Sequence, residues 1–188
     1  MVQQTPGTGV SPLSARRIMV YGVTGSGKTT TAARLGGLTQ IPWYAIDDLT
    51  WEAGWTPVPA DEQRRRVARI CAGDAWIIDH GYGGWLDIPL ARADLVVALD
   101  FPRWVSFGWL LRRCLVNVIT RRPTCNGNVE TWRTTFAARN SILVWHLWSF
   151  RRKRRRIRAW ACQPGGPQVI RFTRPAQLAD WLRAVRPR

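Results

Sequence analysis

The chain has 188 residues, 46% of them hydrophobic, with 28 lysine plus arginine against 12 aspartate plus glutamate and a formal net charge of +16. That length suits one domain with a full core and is too short for a motor with accessory domains. The charge favours polyanionic partners such as nucleotides or nucleic acid, while Arg112 and Arg113 inside the most apolar long stretch, 104–119, exclude a membrane span and leave a cytoplasmic location as the expectation.

Residues 1–15, rich in Pro, Gly, Ser and Thr and without an apolar h-region, read as a disordered tail, and 16–188 as a single domain. Arg17 to Tyr21 reads as a short buried strand. It runs into Gly22-Val23-Thr24-Gly25-Ser26-Gly27-Lys28-Thr29, which fits G-x-x-x-x-G-K-[ST] at every fixed position. Glycines in that pattern let the backbone wrap an anion with successive N–H groups, and a helix N-terminus stands behind them. Lys28 is placed for the β- and γ-phosphates, and the Thr29 hydroxyl for Mg²⁺. Among the basic residues only Lys28 and Lys153 are lysines, so composition alone does not put a lysine here. Thr30 follows on a helix expected to close at Gly36-Gly37.

Trp43 to Ile46 reads as a second strand ending at Asp47-Asp48. A helix capped by Ala60 or Asp61 runs to about Cys71 and stops at Gly73. Ala75 to Asp79 and Leu95 to Asp100 are continuous apolar runs ending in an acid, the pattern of parallel strands buried on both faces. Helical segments follow at about Arg103 to Ile119 and Val129 to Ala161, separated by the turn-rich 121–128. Gln168 to Phe172 reads as a last strand and Pro175 to Val185 as a last helix. The expected fold is therefore α/β, a doubly wound parallel five-stranded sheet with an arginine-rich, lid-like helical insert at about 103–163. Such sheets bind ligands at the C-terminal edge of their strands, where Asp47, Asp79 and Asp100 all fall.

Absences narrow the chemistry. There is no N-K-x-D for guanine and no D-x-x-G switch, and Asp79 is followed by His80 instead of a water-polarising Glu. These favour phosphoryl transfer to a bound acceptor over hydrolysis, with Lys28, Arg112, Arg113 and Arg122 as charge-stabilising candidates. Asp47 reads as acceptor contact or general base, against a cap on the following turn. Asp79 reads as a Mg²⁺-holding acid, against a cap or salt bridge. Asp100, before Phe101-Pro102, reads as a helix cap. Arg174, after the last strand, is placed for the adenine ring by analogy within this fold class.

Bland readings compete elsewhere. Trp104, Trp109, Trp132, Trp145 and Trp148 fall in helical segments and read as core, whereas Trp51 and Trp55 follow Asp47 in a loop that could line an acceptor pocket. Cys71, Cys114, Cys125 and Cys162 show no metal spacing and read as reduced fillers. His146 reads as a packed helix residue and His80 as a loop residue. The basic run Arg151 to Arg158 points all round a helix; it reads as a solvated face, a nucleic-acid contact or a source of lid arginines.

The run Ile41 to Trp55, Trp76-Ile77-Ile78-Asp79 with Tyr82-Gly83-Gly84, Leu86-Asp87-Ile88, Arg92-Ala93-Asp94, Leu99 to Trp104, Arg112-Arg113, Arg122-Pro123 and Trp145 to Phe150 together resemble the topology-modulation (FlaR-like) proteins. These are small P-loop proteins related to adenylate kinase. The resemblance, over about residues 16–185, implies a nucleotide-kinase-like fold that binds ATP, with an acceptor side at Asp47 to Trp55. Where the family reads Asp-Gly-Asn-Tyr this chain has Asp79-His80-Gly81-Tyr82, and Thr124 replaces the acid expected after Arg-Pro; both departures bear on the acceptor. The expectation is an ATP- and Mg²⁺-dependent phosphotransferase acting on a small acceptor, which could itself be a nucleotide. The alternative is a nucleotide-regulated DNA- or RNA-binding protein that uses Arg151 to Arg158. Oligomeric state is not readable.

Overall fold

The computed structural model describes residues 3–4, 14–79, 83–137 and 141–185. Five parallel strands form its centre: β2 (Arg17–Gly22), β3 (Trp43–Ala45), β6 (Trp76–Asp79), β7 (Leu95–Leu99) and β8 (Gln168–Phe172). Their spatial order is β3-β6-β2-β7-β8, so the first of them lies in the middle and its C-terminus is flanked by those of β6 and β7. Inside the segment expected to be disordered, β1 (Gln3–Gln4) pairs antiparallel with the outer edge of β8.

Alternation along β2 builds both layers. Ile18 and Val20 face a core that contains Ala32 and Leu35 of α1 (Lys28–Thr39) and Leu182 of α7 (Pro175–Ala184). Met19 and Tyr21 face the other, with Val67 and Cys71 of α3 (Ala60–Cys71) and Ile157 and Trp160 of α6 (Ile142–Ala161). Full burial of such side chains is worth roughly 1.5–3 kcal/mol each, which is why the continuous apolar strands lie in the middle. The doubly wound α/β reading holds.

Several boundaries differ from expectation for identifiable reasons. Helix α1 does not close at Gly36-Gly37; it continues to Thr39 and ends at Gln40, whose φ is 57°. Gly36 lies inside the helix because Trp43 lies against it: a Cβ there would sit 2.7 Å from Trp43 Cδ1. Asp47-Asp48 do not trail off β3 but open a helical turn, α2 (Ile46–Thr50), followed by a two-stranded ribbon of β4 (Trp51–Glu52) and β5 (Thr56–Pro57). A further short helix, α4 (Asp87–Arg92), was masked in the sequence by Pro89. The helix expected from Val129 begins at Ile142, where Ser141 caps it by accepting from the Val144 amide, and 133–137 form a separate π-type turn.

Two further expectations are overturned. Asp100 caps nothing: it is buried and accepts hydrogen bonds from Arg154 and Arg171, the latter at 2.8 Å, which fastens α6 to the ends of β7 and β8. The tryptophans read as core are largely outside, with Trp104 77% and Trp148 82% exposed and Trp109, Trp132 and Trp145 also open to water. Large apolar side chains stand on the outward as well as the inward side of α5 (Arg103–Thr120) and of the first turns of α6, so helical periodicity did not distinguish them. Cys71 and Cys114 are buried fillers as expected, Cys125 is half-buried and Cys162 is exposed, and all four are free. Among the described residues no helix is long and apolar enough to cross a membrane.

Asp100→Ala should leave Arg154 and Arg171 facing each other without their anion, and should lower unfolding free energy by about 2–4 kcal/mol in urea titration. A loss below about 0.5 kcal/mol would show that the triad does not hold α6.

Candidate active site

The phosphate loop sits where β2 ends between β6 and β7. Gly25 and Gly27 have φ of 77° and 85°, left-handed values that favour glycine. Gly25 is also pressed against α5, since a Cβ there would lie 2.5 Å from the Ser106 carbonyl oxygen and 2.6 Å from Leu110 Cβ. Within the loop the Ser26 hydroxyl donates to the Val23 carbonyl at 2.8 Å. Helix α1 starts at Lys28 with no acidic residue in its first turn, so its free N–H groups and dipole face the edge uncompensated. Lys28 is half-buried and donates from Nζ to the Val23 carbonyl at 2.9 Å. Burial lowers its pKa, with Asp79 and Asp47 pulling the other way and Arg113 adding to the depression.

Thr29 and Asp79 meet directly: the Thr29 hydroxyl donates to Asp79 Oδ2 at 2.5 Å, and the Ile46 amide donates to Oδ1 at 2.8 Å. Burial pushes the Asp79 carboxyl up to about 6, against the pull of the Ile46 amide, the Thr29 hydroxyl and Lys28. A hydroxyl and a carboxylate in contact beside a phosphate cradle fit Mg²⁺, which takes one or two protein oxygens and keeps waters and phosphate oxygens for the rest. No cluster of three or more His, Cys, Asp or Glu that could hold a metal alone occurs among the described residues.

Of the other sequence candidates, Asp47 and Arg113 act on this centre through their charges. Asp47 is exposed on α2, and its charge acts on Lys28 and Asp79. Arg113, on α5, also acts on Lys28 and lies 4.0 Å from Glu130. Arg112 lies beside it on α5 and Arg122 in the turn beyond; both are exposed. Arg174 is exposed at the start of α7, with its amide donating to Gln177. Val23 is buried, Thr24 half-buried and Thr30 exposed on the first turn of α1. His80 and Tyr82 lie outside the described residues.

His146 is packed within α6 as expected, but its bond to the loop, like the contacts of Asn126 and Asn128, was not visible in the sequence. His146, fully buried, hydrogen-bonds through Nδ1 to the Thr24 carbonyl at 2.9 Å, so Nδ1 carries the proton and α6 is tied to the phosphate loop. Asn126 and Asn128 join the insert to the segment after Asp47. Asn126 Nδ2 donates to the Asp48 carbonyl at 2.9 Å and to the Trp51 carbonyl, and Asn128 Nδ2 donates to Glu52 at 2.9 Å. In return the Trp55 amide donates to Asn128 Oδ1 at 2.8 Å, and its indole to the Val129 carbonyl at 3.3 Å. Trp55 has φ of 57°, a strained value for an aromatic residue, and these bonds hold it there. An N-G pair at Asn126-Gly127 was the available signal for the turn, but nothing local named its partner.

Gly25→Ala should weaken ATP binding at least about tenfold and cost about 1–3 kcal/mol of stability, read by calorimetry and urea titration; unchanged affinity would count against the tight fit of loop to α5. Asn128→Ala should speed amide exchange at Trp55 by about 10- to 100-fold with β2 unaffected. Equal rates at Trp55 in both proteins would mean that the insert does not restrain this segment.

No protein-family model matches the chain, and no curated protein matches it by sequence. Solved structures do match in fold. A shikimate kinase from Bacteroides thetaiotaomicron superposes with a TM-score of 0.52 at 16% identity, over 90% of this chain and 96% of that one. A gluconokinase from Sinorhizobium meliloti 1021 gives 0.51 at 14% identity, over 90% and 89%. The chain thus has the fold of the small P-loop kinases.

Proposed function

We propose that the protein is an ATP-dependent phosphotransferase that moves the γ-phosphoryl group to a small acceptor held between the phosphate loop and the segment Asp47 to Trp55. The observation that carries this reading is the contact of Thr29 with Asp79 beside Lys28, because one edge then offers phosphate-binding amides, a cation and a pair of Mg²⁺-fitting oxygens. The fold shared with proteins titled shikimate kinase and gluconokinase supports the same class.

The loop amides and the N-terminus of α1 bind the phosphate chain. Lys28 leaves the Val23 carbonyl for phosphate oxygens and offsets charge on the transferring group. Thr29 and Asp79 would hold Mg²⁺, which would supply charge neutralisation to the phosphate chain. Asp47, exposed at the edge, orients the acceptor hydroxyl and takes its proton as its oxygen bonds to γ-phosphorus and the bond to the β-bridging oxygen breaks. Arg113, whose charge acts on Lys28, supports the developing charge, with the exposed Arg112 and Arg122 available from the insert.

A second reading has one observation in its favour. Arg151, Arg152, Arg155 and Arg158 are exposed on α6 close in sequence to the exposed Trp145 and Trp148, a mixture of cations and aromatic faces suited to nucleic acid. In that reading ATP sets the position of α6.

ADP release measured across nucleoside monophosphates, nucleosides and small hydroxy acids should rise well above basal hydrolysis with one acceptor class. Lys28→Met should remove that rise with the fold intact. A flat screen together with salt-sensitive binding of single-stranded DNA, lost on neutralising Arg151, Arg152 and Arg155, would favour the second reading instead.

A further inference from the structure

The phosphate loop contains a β-turn over Val23, Thr24, Gly25 and Ser26, closed by the Ser26 amide donating to the Val23 carbonyl at 3.2 Å. Gly25 stands third in it with φ of 77°, the value of a type II turn. A type I turn keeps the same closing bond but has its central peptide, Thr24 to Gly25, turned over, with φ of about −90° at the third residue. Glycine takes either sign of φ, so the loop's own sequence does not choose between the two. The choice matters for an anion. This peptide is trans, so its C=O and N–H point in opposite directions. One turn offers the Gly25 N–H on the face where the other offers the Thr24 carbonyl, which repels a phosphate oxygen. The Gly25 N–H donates to none of the described residues.

One bond from outside the motif separates these forms. His146 of α6 donates from Nδ1 to the Thr24 carbonyl at 2.9 Å, on the central peptide itself. The imidazole is fully buried, with the rings of Phe107 and Phe150 centred 5.6 and 5.8 Å from it. Its Nε2 meets no hydrogen-bonding group among the described residues. A leucine would fill such a place without the cost of burying a polar ring, so packing alone does not account for a histidine here. The helix that carries the donor is pinned as well. Arg154 is paired with Asp100, and Trp160 packs edge-on against Tyr21, ring centroids 4.7 Å apart. The donor thus reaches the turn from a fixed support.

We propose that His146 is a positioning residue of the phosphate site: by holding the Thr24 carbonyl it keeps the Val23–Ser26 turn in the form that presents the Gly25 N–H to a phosphate oxygen of the nucleotide. The proposal rests on the nucleotide-binding reading of the loop and deepens it, since phosphate affinity then depends on a side chain of the insert that touches no ligand.

The test compares His146→Leu, which removes the donor and keeps an apolar filler, with His146→Asn, whose Nδ2 can donate from near the place of Nδ1. Melting temperature checks that each is folded. Affinity for ADP with Mg²⁺ is measured by calorimetry, and amide exchange at Gly25 and Gly27 by NMR with and without ADP. In the wild type ADP slows exchange at both glycines. In His146→Leu affinity for ADP falls about 10- to 100-fold, and at saturating ADP Gly27 is protected while Gly25 is not. His146→Asn restores the Gly25 protection and stays within about threefold of wild-type affinity. Unchanged affinity in folded His146→Leu overturns the proposal. So does an equal loss in both variants, or a loss with Gly25 still protected, since either marks a packing role. Lys28→Met tests the reading beneath: if it binds ADP as the wild type does, and ADP protects neither glycine in the wild type, the loop reading itself fails.

Discussion

Asp79 ends β6 withdrawn from water, with Oδ2 accepting from the Thr29 hydroxyl and Oδ1 from the Ile46 amide. A buried carboxylate is tolerable only when donors surround it, so the folded chain must bring the first turn of α1 and the start of α2 to the same side chain. That requirement fixes the spacing between the phosphate loop and the segment that follows β3. It also explains why β6 stands between β2 and β3, since no other strand end could reach both. The phosphate loop and the segment after β3 are thus joined through one carboxylate.

A second set of constraints closes the edge from above. Helix α5 presses on Gly25, His146 of α6 holds the Thr24 carbonyl, and Arg154 and Arg171 converge on Asp100. None of these side chains lies in the phosphate-loop motif. Together they make the loop's shape depend on the insert, so a displacement of α6 changes the carbonyl that shapes the phosphate cradle. The phosphate loop and α6 therefore behave as one mechanical unit.

What could be read in the sequence follows from how local the physics is. The loop was legible because its chemistry lies in eight consecutive residues, and β6 and β7 because burial on both faces writes an unbroken apolar run. Helix α4 was hidden by Pro89, and the end of α1 by Gly36, whose missing side chain answers to Trp43 and not to a turn. His146 was readable as a packed residue, but its bond to the loop was not. That bond depends on which face of α6 turns inward, and the exposed Trp145, Leu147 and Trp148 blur the two faces in its first turns. Asn126 and Asn128 contact residues more than 70 positions away, a pairing that no window of sequence contains.

The contacts between Asn126, Asn128 and the 48–55 backbone also set how the edge opens. Each such bond is worth about 0.5–1.5 kcal/mol net, near the lower end where water can replace it. Four of them together make opening cost roughly 2–4 kcal/mol, which corresponds to an open form populated at about one part in thirty to one in a thousand. Strain at Trp55 works against that closure, since releasing its φ of 57° returns part of the cost. An anion that approaches the edge gains from the summed positive field of the chain and from the Lys28 ammonium. Closure by neutral amides and attraction by the half-buried Lys28 ammonium then act on the same sheet edge. The first sets how seldom the site is open, and the second sets which ligands gain most from entering it.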